Sequence, residues 1–319
     1  MNSLLSFMRK WTLPLAMLAG VVAYYAYTSV RALDGTHELA NRALGIIQPA
    51  LIFSMLLLTF LKIKPSQLRL CRWHAWALLL QITLFGLCAC AVKLLGHSHW
   101  AIVIEGGMLC LICPTATAAV VVTGKLGGNQ ASLTSYTILI NLCVAIAIPA
   151  VVPWLHPSGD ASFLDDAMLI LGKVFPLLFC PFLLAIVIRH AAPRLGEWLT
   201  RIKDLAFYLW AVALALAIAV TVRSIVHSTC PWIYQLGIAI ASALACVIQF
   251  GVGRWIGSHY GEKVSVAQSL GQKNTVFAIW AGYTFFTPVT SIAGGFYSVW
   301  HNVYNSYQLA KHKTDDSNH

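Results

Sequence analysis

The chain has 319 residues, of which 59% are hydrophobic and only 10% charged, against about 25% charged in ordinary soluble domains. So few charges cannot cover a soluble surface, which excludes a cytosolic enzyme, a nucleic-acid-binding domain and a disordered chain. The mean hydropathy of +0.74 and the continuous, non-alternating apolar runs predict an all-α polytopic membrane protein rather than a β-barrel.

Ten apolar runs follow one another, starting near Trp11, Ala43, Trp73, Trp100, Ala131, Ala167, Leu205, Pro231, Val264 and Pro288. Most are about 20 residues long, enough to cross the hydrocarbon layer. Arg9 and Lys10 precede the first run, as they would in a signal peptide. The run continues to Val30 without a good cleavage site, so it reads as a span. The net charge of +10 has a membrane explanation. If the N-terminus is cytoplasmic, only Arg31, Arg42, Lys93 and Arg223 fall outside, and Lys173 and Lys273 lie within spans. The other Lys and Arg face the cytoplasm, which puts both termini there, in the cell (inner) membrane. The loop Pro153–Asp166 is acidic, free of Lys and Arg, and predicted outside.

Subtracting the starts of the first five runs from those of the last five gives offsets between 156 and 164 residues. Five spans per half is an odd number, so the second half must enter from the opposite face. That predicts a five-plus-five inverted repeat, 11–155 and 167–310, an organisation common among transporters.

Several features read as structural. The nine cysteines lie singly in apolar segments, and Cys110-Leu-Ile-Cys113 reads as packing inside a helix. Lys173 reads as snorkelling outward. Trp73, Trp76, Trp100, Trp154, Trp210 and Trp232 read as interface anchors, and Gly294-Gly295 as close helix packing. The tail from Lys311 to His319 reads as disordered.

The fourth and ninth runs have unusual interiors. In the fourth, Pro114 lacks a backbone donor and disfavours helix before it, while Thr115 and Thr117 can satisfy freed groups. In the ninth, Ser269-Leu-Gly-Gln-Lys-Asn-Thr275 places a polar stretch, with Lys273, in mid-membrane. Broken spans at matching places in two halves point to a transporter binding site.

At these residues the chain resembles the bile acid:sodium symporter family. Phe296-Tyr-Ser-Val-Trp-His-Asn302 is similar to that family's Phe-Ser-Val-Trp-His-Asn stretch. Cys113-Pro-Thr-Ala-Thr-Ala118 resembles its Cys-Pro-Gly-Gly-Thr-Ala break, and Gln272-Lys-Asn-Thr275 its Met-Gln-Asn-Ser break. The resemblance implies a panel of spans one, two, six and seven. It also implies a core of spans three to five and eight to ten, where broken spans four and nine cross. It implies inward movement of an organic anion, often with sodium, by alternating access. The substrate site it implies is Thr117, Asn274, His301 and Asn302, to which the two breaks themselves add Thr115 and Lys273. The second half-helices would present positive dipole ends at the crossing, favourable for an anion.

The sodium-site positions depart from that pattern. Aligned from Pro114, the family's Ser-Asn pair falls on Ala119 and Val120, and a further Ser on Leu133. Thr137 and Gln81 are retained. The family's Glu falls on Ser269 and its Gln on Lys273. Ala, Val and Leu offer no side-chain oxygen, and the lysine brings a charge of sodium's sign. This predicts sodium-independent transport with Lys273 in the cation's place. It could bond Gln81, Thr137 or Ser269, pair with an anionic substrate, or exchange a proton during the cycle. A one- or two-residue slip could bring in Thr115 or Thr123, but no carboxylate. Glu105, the one acidic residue deep in a run, lies nine residues before Pro114 and reads as near the outer interface. A sodium-coupled symporter is the alternative within the family. An intramembrane enzyme or a sensor is the alternative outside it, although no HExxH, GxSxG or paired Asp motif is present. No metal or cofactor is expected; the partners are a small organic anion and the lipid bilayer, with the oligomeric state open.

Overall fold

The computed structural model describes residues 2–30, 35–63, 66, 68–96, 98–159, 161–202 and 205–317, without the side chains of 2–11, 13 and 313–317. Arg31, Lys64 and Lys203, used above in the charge count, lie outside the described residues. The described chain is helical: α1 Asn2–Ser29, α2 His37–Lys62, α3 Arg72–Leu95, α4 His99–Ile112, α5 Ala119–Lys125, α6 Gln130–Leu155 and α7 Phe163–Leu178. It continues with α8 Cys180–Ala191, α9 Pro193–Arg201, α10 Leu205–Val226, α11 Trp232–His259, α12 Lys263–Gly271, α13 Thr275–Phe285 and α14 Pro288–Ser317. The expected disordered tail is helical in its backbone through Ser317.

Local chemistry explains many of the starts. Ser98 accepts from the amide of Trp100 ahead of α4, and Asn129 from those of Ala131 and Ser132 ahead of α6. Ser162 and Asp165 form a capping box for α7. α7 and α8 meet at a 42° bend, with Pro176 before it and Pro181 after it removing backbone donors. α9 is short and amphipathic.

Five helices, α2, α3, α6, α10 and α11, are each long and apolar enough to cross a membrane, and the bent pair α7–α8 makes a sixth. This is a multi-pass membrane protein. α1, α2, α8 and α10 pack side by side. α3, α4, α11, α12, α13 and α14 form a second group, with α2 and α10 reaching across to α13, and α10 also to α14. Close approach needs the glycines of α14: a Cβ on Gly295 would stand 2.5 Å from the Thr221 side chain of α10, across the groups, and one on Gly294 2.8 Å from Ile279 of α13, within the second group. Gly294-Gly295 is close packing, as read from sequence. Lys173 is exposed, as snorkelling requires, but Trp73 is buried against His74 and Tyr136 instead of anchoring an interface.

Candidate functional site

Both broken runs open where the sequence places the break. α4 stops at Ile112, before Cys113 and Pro114, and α12 stops at Gly271. The two gaps meet as short antiparallel extended segments, bridged at Thr115 and Lys273. The Ala116 amide donates to the Gln272 carbonyl and the Asn274 amide to the Pro114 carbonyl, each at 2.8 Å. Broken helix ends leave carbonyls that must be satisfied inside a membrane. Gln81 on α3 donates to the Leu111 carbonyl at 2.7 Å, and Gln249 on α11 to the Cys110 carbonyl at 3.3 Å. On the other side, Thr115 donates to the Ser269 carbonyl at 2.7 Å and Tyr297 to the Gly271 carbonyl at 2.8 Å. Gly271 is needed for packing as well as for the break, since a Cβ there would meet the Phe250 ring at 2.4 Å. Asn274 caps α13 by accepting from Phe277 at 3.2 Å.

A recess opens beside the crossing, with room for a water or two at about 30 Å³. Thr117, Lys273, Asn274, His301 and Asn302 all line it, joined by Gln272 and Ser298. Thr115 does not: its hydroxyl is turned to the Ser269 carbonyl. Met55 from α2 and Trp210 from α10 close the other wall. Trp210 is therefore a recess residue, where sequence had suggested an interface anchor. Asn302 donates to the Ser298 carbonyl at 2.7 Å, and the buried His301 has no partner at Nδ1.

Lys273 is 1% exposed, and its Nζ makes no hydrogen bond among the described residues. The expected bonds to Gln81 and Thr137 are not formed, because both side chains are engaged elsewhere. Gln81 holds Leu111 and accepts from Tyr136, while Thr137 donates to the Leu133 carbonyl at 3.0 Å. Ser269 is buried with its hydroxyl unpartnered. Cys113 donates to the Asn274 carbonyl at 2.9 Å, and Cys110 to Ala293 at 3.6 Å. Ala119 and Leu133 are fully buried, and Val120 is half-buried with its carbonyl accepting from Gln130. Glu105 is buried midway along α4, holding His156 at 2.6 Å and Thr290 at 3.0 Å, away from the crossing.

Gln249, Tyr297 and Trp210 were missed from sequence. Gln249 is polar in an apolar run, a signal that could have found it; the other two carried none.

Two broken helices, paired through their backbones inside a helical membrane protein, are the arrangement that membrane transporters use at their binding sites. The chain belongs to the SBF-like CPA transporter family, whose profile matches residues 15–311. This agrees with the bile acid:sodium symporter-like resemblance. No curated protein matches the chain.

Proposed function

We propose that the protein moves a small organic anion by alternating access and does not need sodium. The observation that carries this is Lys273: a buried amine at the crossing, with no hydrogen-bond partner among the described residues, at the position where the resemblance puts a neutral sodium ligand. In its protonated form it takes over the cation's electrostatic role, and a bound anion is then its counter-charge. Thr117, Asn274, His301 and Asn302 supply the polar contacts.

In this reading α1, α2, α7–α8 and α10 are the panel, and the remaining spans the core, in a ten-span inverted repeat over 11–155 and 167–310. The recess between them is too small for an organic anion, so binding requires Met55 and Trp210 to part from the core. Both termini face the cytoplasm. A reporter fused at Thr314 that reports the periplasm would overturn that orientation, with a fusion near Gly159 as the opposite control.

Uptake into proteoliposomes tests the transport claim. Replacing sodium with potassium or choline should leave uptake unchanged; a steep sodium dependence refutes the proposal. Lys273→Gln then separates mechanisms. A proton-exchanging lysine loses the pH dependence of uptake with the substitution, a substrate-pairing lysine loses affinity, and a structural one mainly loses stability.

A further inference from the structure

A groove much larger than the recess lies away from the crossing. It lies between α3 and α11, with a volume of about 480 Å³. Trp76, Leu79, Leu80 and Thr83 form one wall, and Val252, Trp255, Ile256, His259 and Tyr260 the other. Its rims face outward: Trp76 is 55% exposed and Trp255 65%. In a multi-pass membrane protein such an apolar surface is covered by lipid.

The depth fits a lipid tail. Arg72, Trp76, Thr83 and the leucines between them fall on one face of α3 by helical spacing. Arg72 to Thr83 is eleven residues, about 16 Å along the helix, close to half of a hydrocarbon layer about 30 Å thick. The groove therefore runs from a helix end to about mid-bilayer, the reach of one leaflet.

The mouth is basic. Arg72 is exposed one turn before Trp76, Arg69 lies three residues earlier, and the exposed Lys263 follows Tyr260 by three. At the groove itself, His259 donates from Nδ1 to the Trp255 carbonyl at 2.9 Å, which leaves the Nε2 lone pair to accept from a headgroup hydroxyl. The nearby carboxylate, Glu262, already accepts from Ser132 and Asn129. Behind the groove, α11 packs on α12, which ends at the crossing.

We infer that this groove is a binding site for an anionic phospholipid, with an acyl chain between Trp76 and Trp255, the phosphate at Arg72 and Lys263, and a headgroup hydroxyl at His259. The site is separate from the transport recess and does not depend on what is carried.

The test uses the full chain in neutral detergent, with phosphatidylglycerol or phosphatidylcholine added and retained lipid counted by native mass spectrometry. The wild type should retain phosphatidylglycerol in preference to phosphatidylcholine. Arg72→Gln with Lys263→Gln should lower that preference about five-fold per cation removed, leaving phosphatidylcholine unchanged. Thr83→Trp, on the lipid-facing wall, should fill the groove and lower retention of both. Equal retention of the two lipids by the wild type would overturn the proposal. So would an unchanged preference in the double variant, or wild-type retention in Thr83→Trp. A concentration-dependent dimer that Thr83→Trp disrupts would place a second copy there instead.

Discussion

At the first break, the carbonyls of Cys110 and Leu111 are met by amide side chains from helices on either side, Gln249 and Gln81. At the second, the carbonyls of Ser269 and Gly271 are met by hydroxyls, Thr115 from the opposite break and Tyr297 from α14. Each break thus has its loose carbonyls held by two neutral side chains. The difference lies in what the breaks carry themselves. The first is Pro, Thr and Ala. The second holds Gln272, Lys273 and Asn274. The caps do not use the lysine, and no hydrogen bond holds its ammonium. Its charge is not needed to keep the helices open. That is why we assign it to transport and the caps to architecture.

The heaviest test of the architectural half is Gln81→Leu. It frees the Leu111 carbonyl and also strands the Tyr136 hydroxyl. Two buried groups at about 1–3 kcal/mol each predict a loss of about 2–6 kcal/mol, seen as a clear drop in melting temperature. A sodium-ligand role for Gln81 would instead leave stability nearly intact.

Tyr297→Phe should come next. It removes the Gly271 cap and the hydroxyl that Gln249 reaches at 3.1 Å. The phenyl ring keeps the packing, so about 1–3 kcal/mol is expected. A neutral result would mean the second break does not rely on its cap and would end the likeness between the two.

The breaks were legible because their chemistry is local. Pro114 cannot continue a helix wherever it sits, and a polar run with a lysine in an apolar span needs special surroundings. What the caps bond was not legible: Gln249 stands out as polar in an apolar run, but which carbonyl it or Tyr297 reaches is decided by which helices pack together. Trp73 and Trp210 show the same limit. A tryptophan near a run's end suggests an interface, yet Trp73 packs inward on His74 and Trp210 closes the recess. Glu105 was legible in part. Its distance from the crossing followed from helix rise, but its hold on His156 and Thr290 needed the fold. Five of the six residues proposed for the substrate do line one recess. Thr115 differs because backbone pairing with Lys273 brings its hydroxyl to Ser269.

Asn274 links the two halves of the comparison, being both a cap and a lining residue. Asn274→Ala should cost about 1 kcal/mol through loss of the cap on α13. It should also weaken substrate binding several-fold, since a buried polar contact contributes about 1–3 kcal/mol. Asn274→Asp keeps the cap but puts a negative charge in an anion site. Wild-type stability with poor uptake in that variant would separate the roles. Unchanged affinity in both Asn274→Ala and His301→Ala would count against the recess as the substrate site.

The smallest effects give the sharpest contrast. Thr115 and Thr117 are two residues apart on the same break, and valine replaces either without changing its shape. Thr115→Val leaves the Ser269 carbonyl unpaired, so it should lower stability by about 1 kcal/mol or somewhat more. Its hydroxyl does not face the recess, so substrate affinity in folded protein should match the wild type. Thr117→Val should do the reverse. Thr117 lines the recess, so affinity should fall by a few-fold while the melting temperature barely moves. Both variants are read by thermal unfolding without substrate and by concentration-dependent uptake. If the two swap their effects, the substrate contacts the pairing face of the break instead of the recess, and Thr115 returns to the binding site.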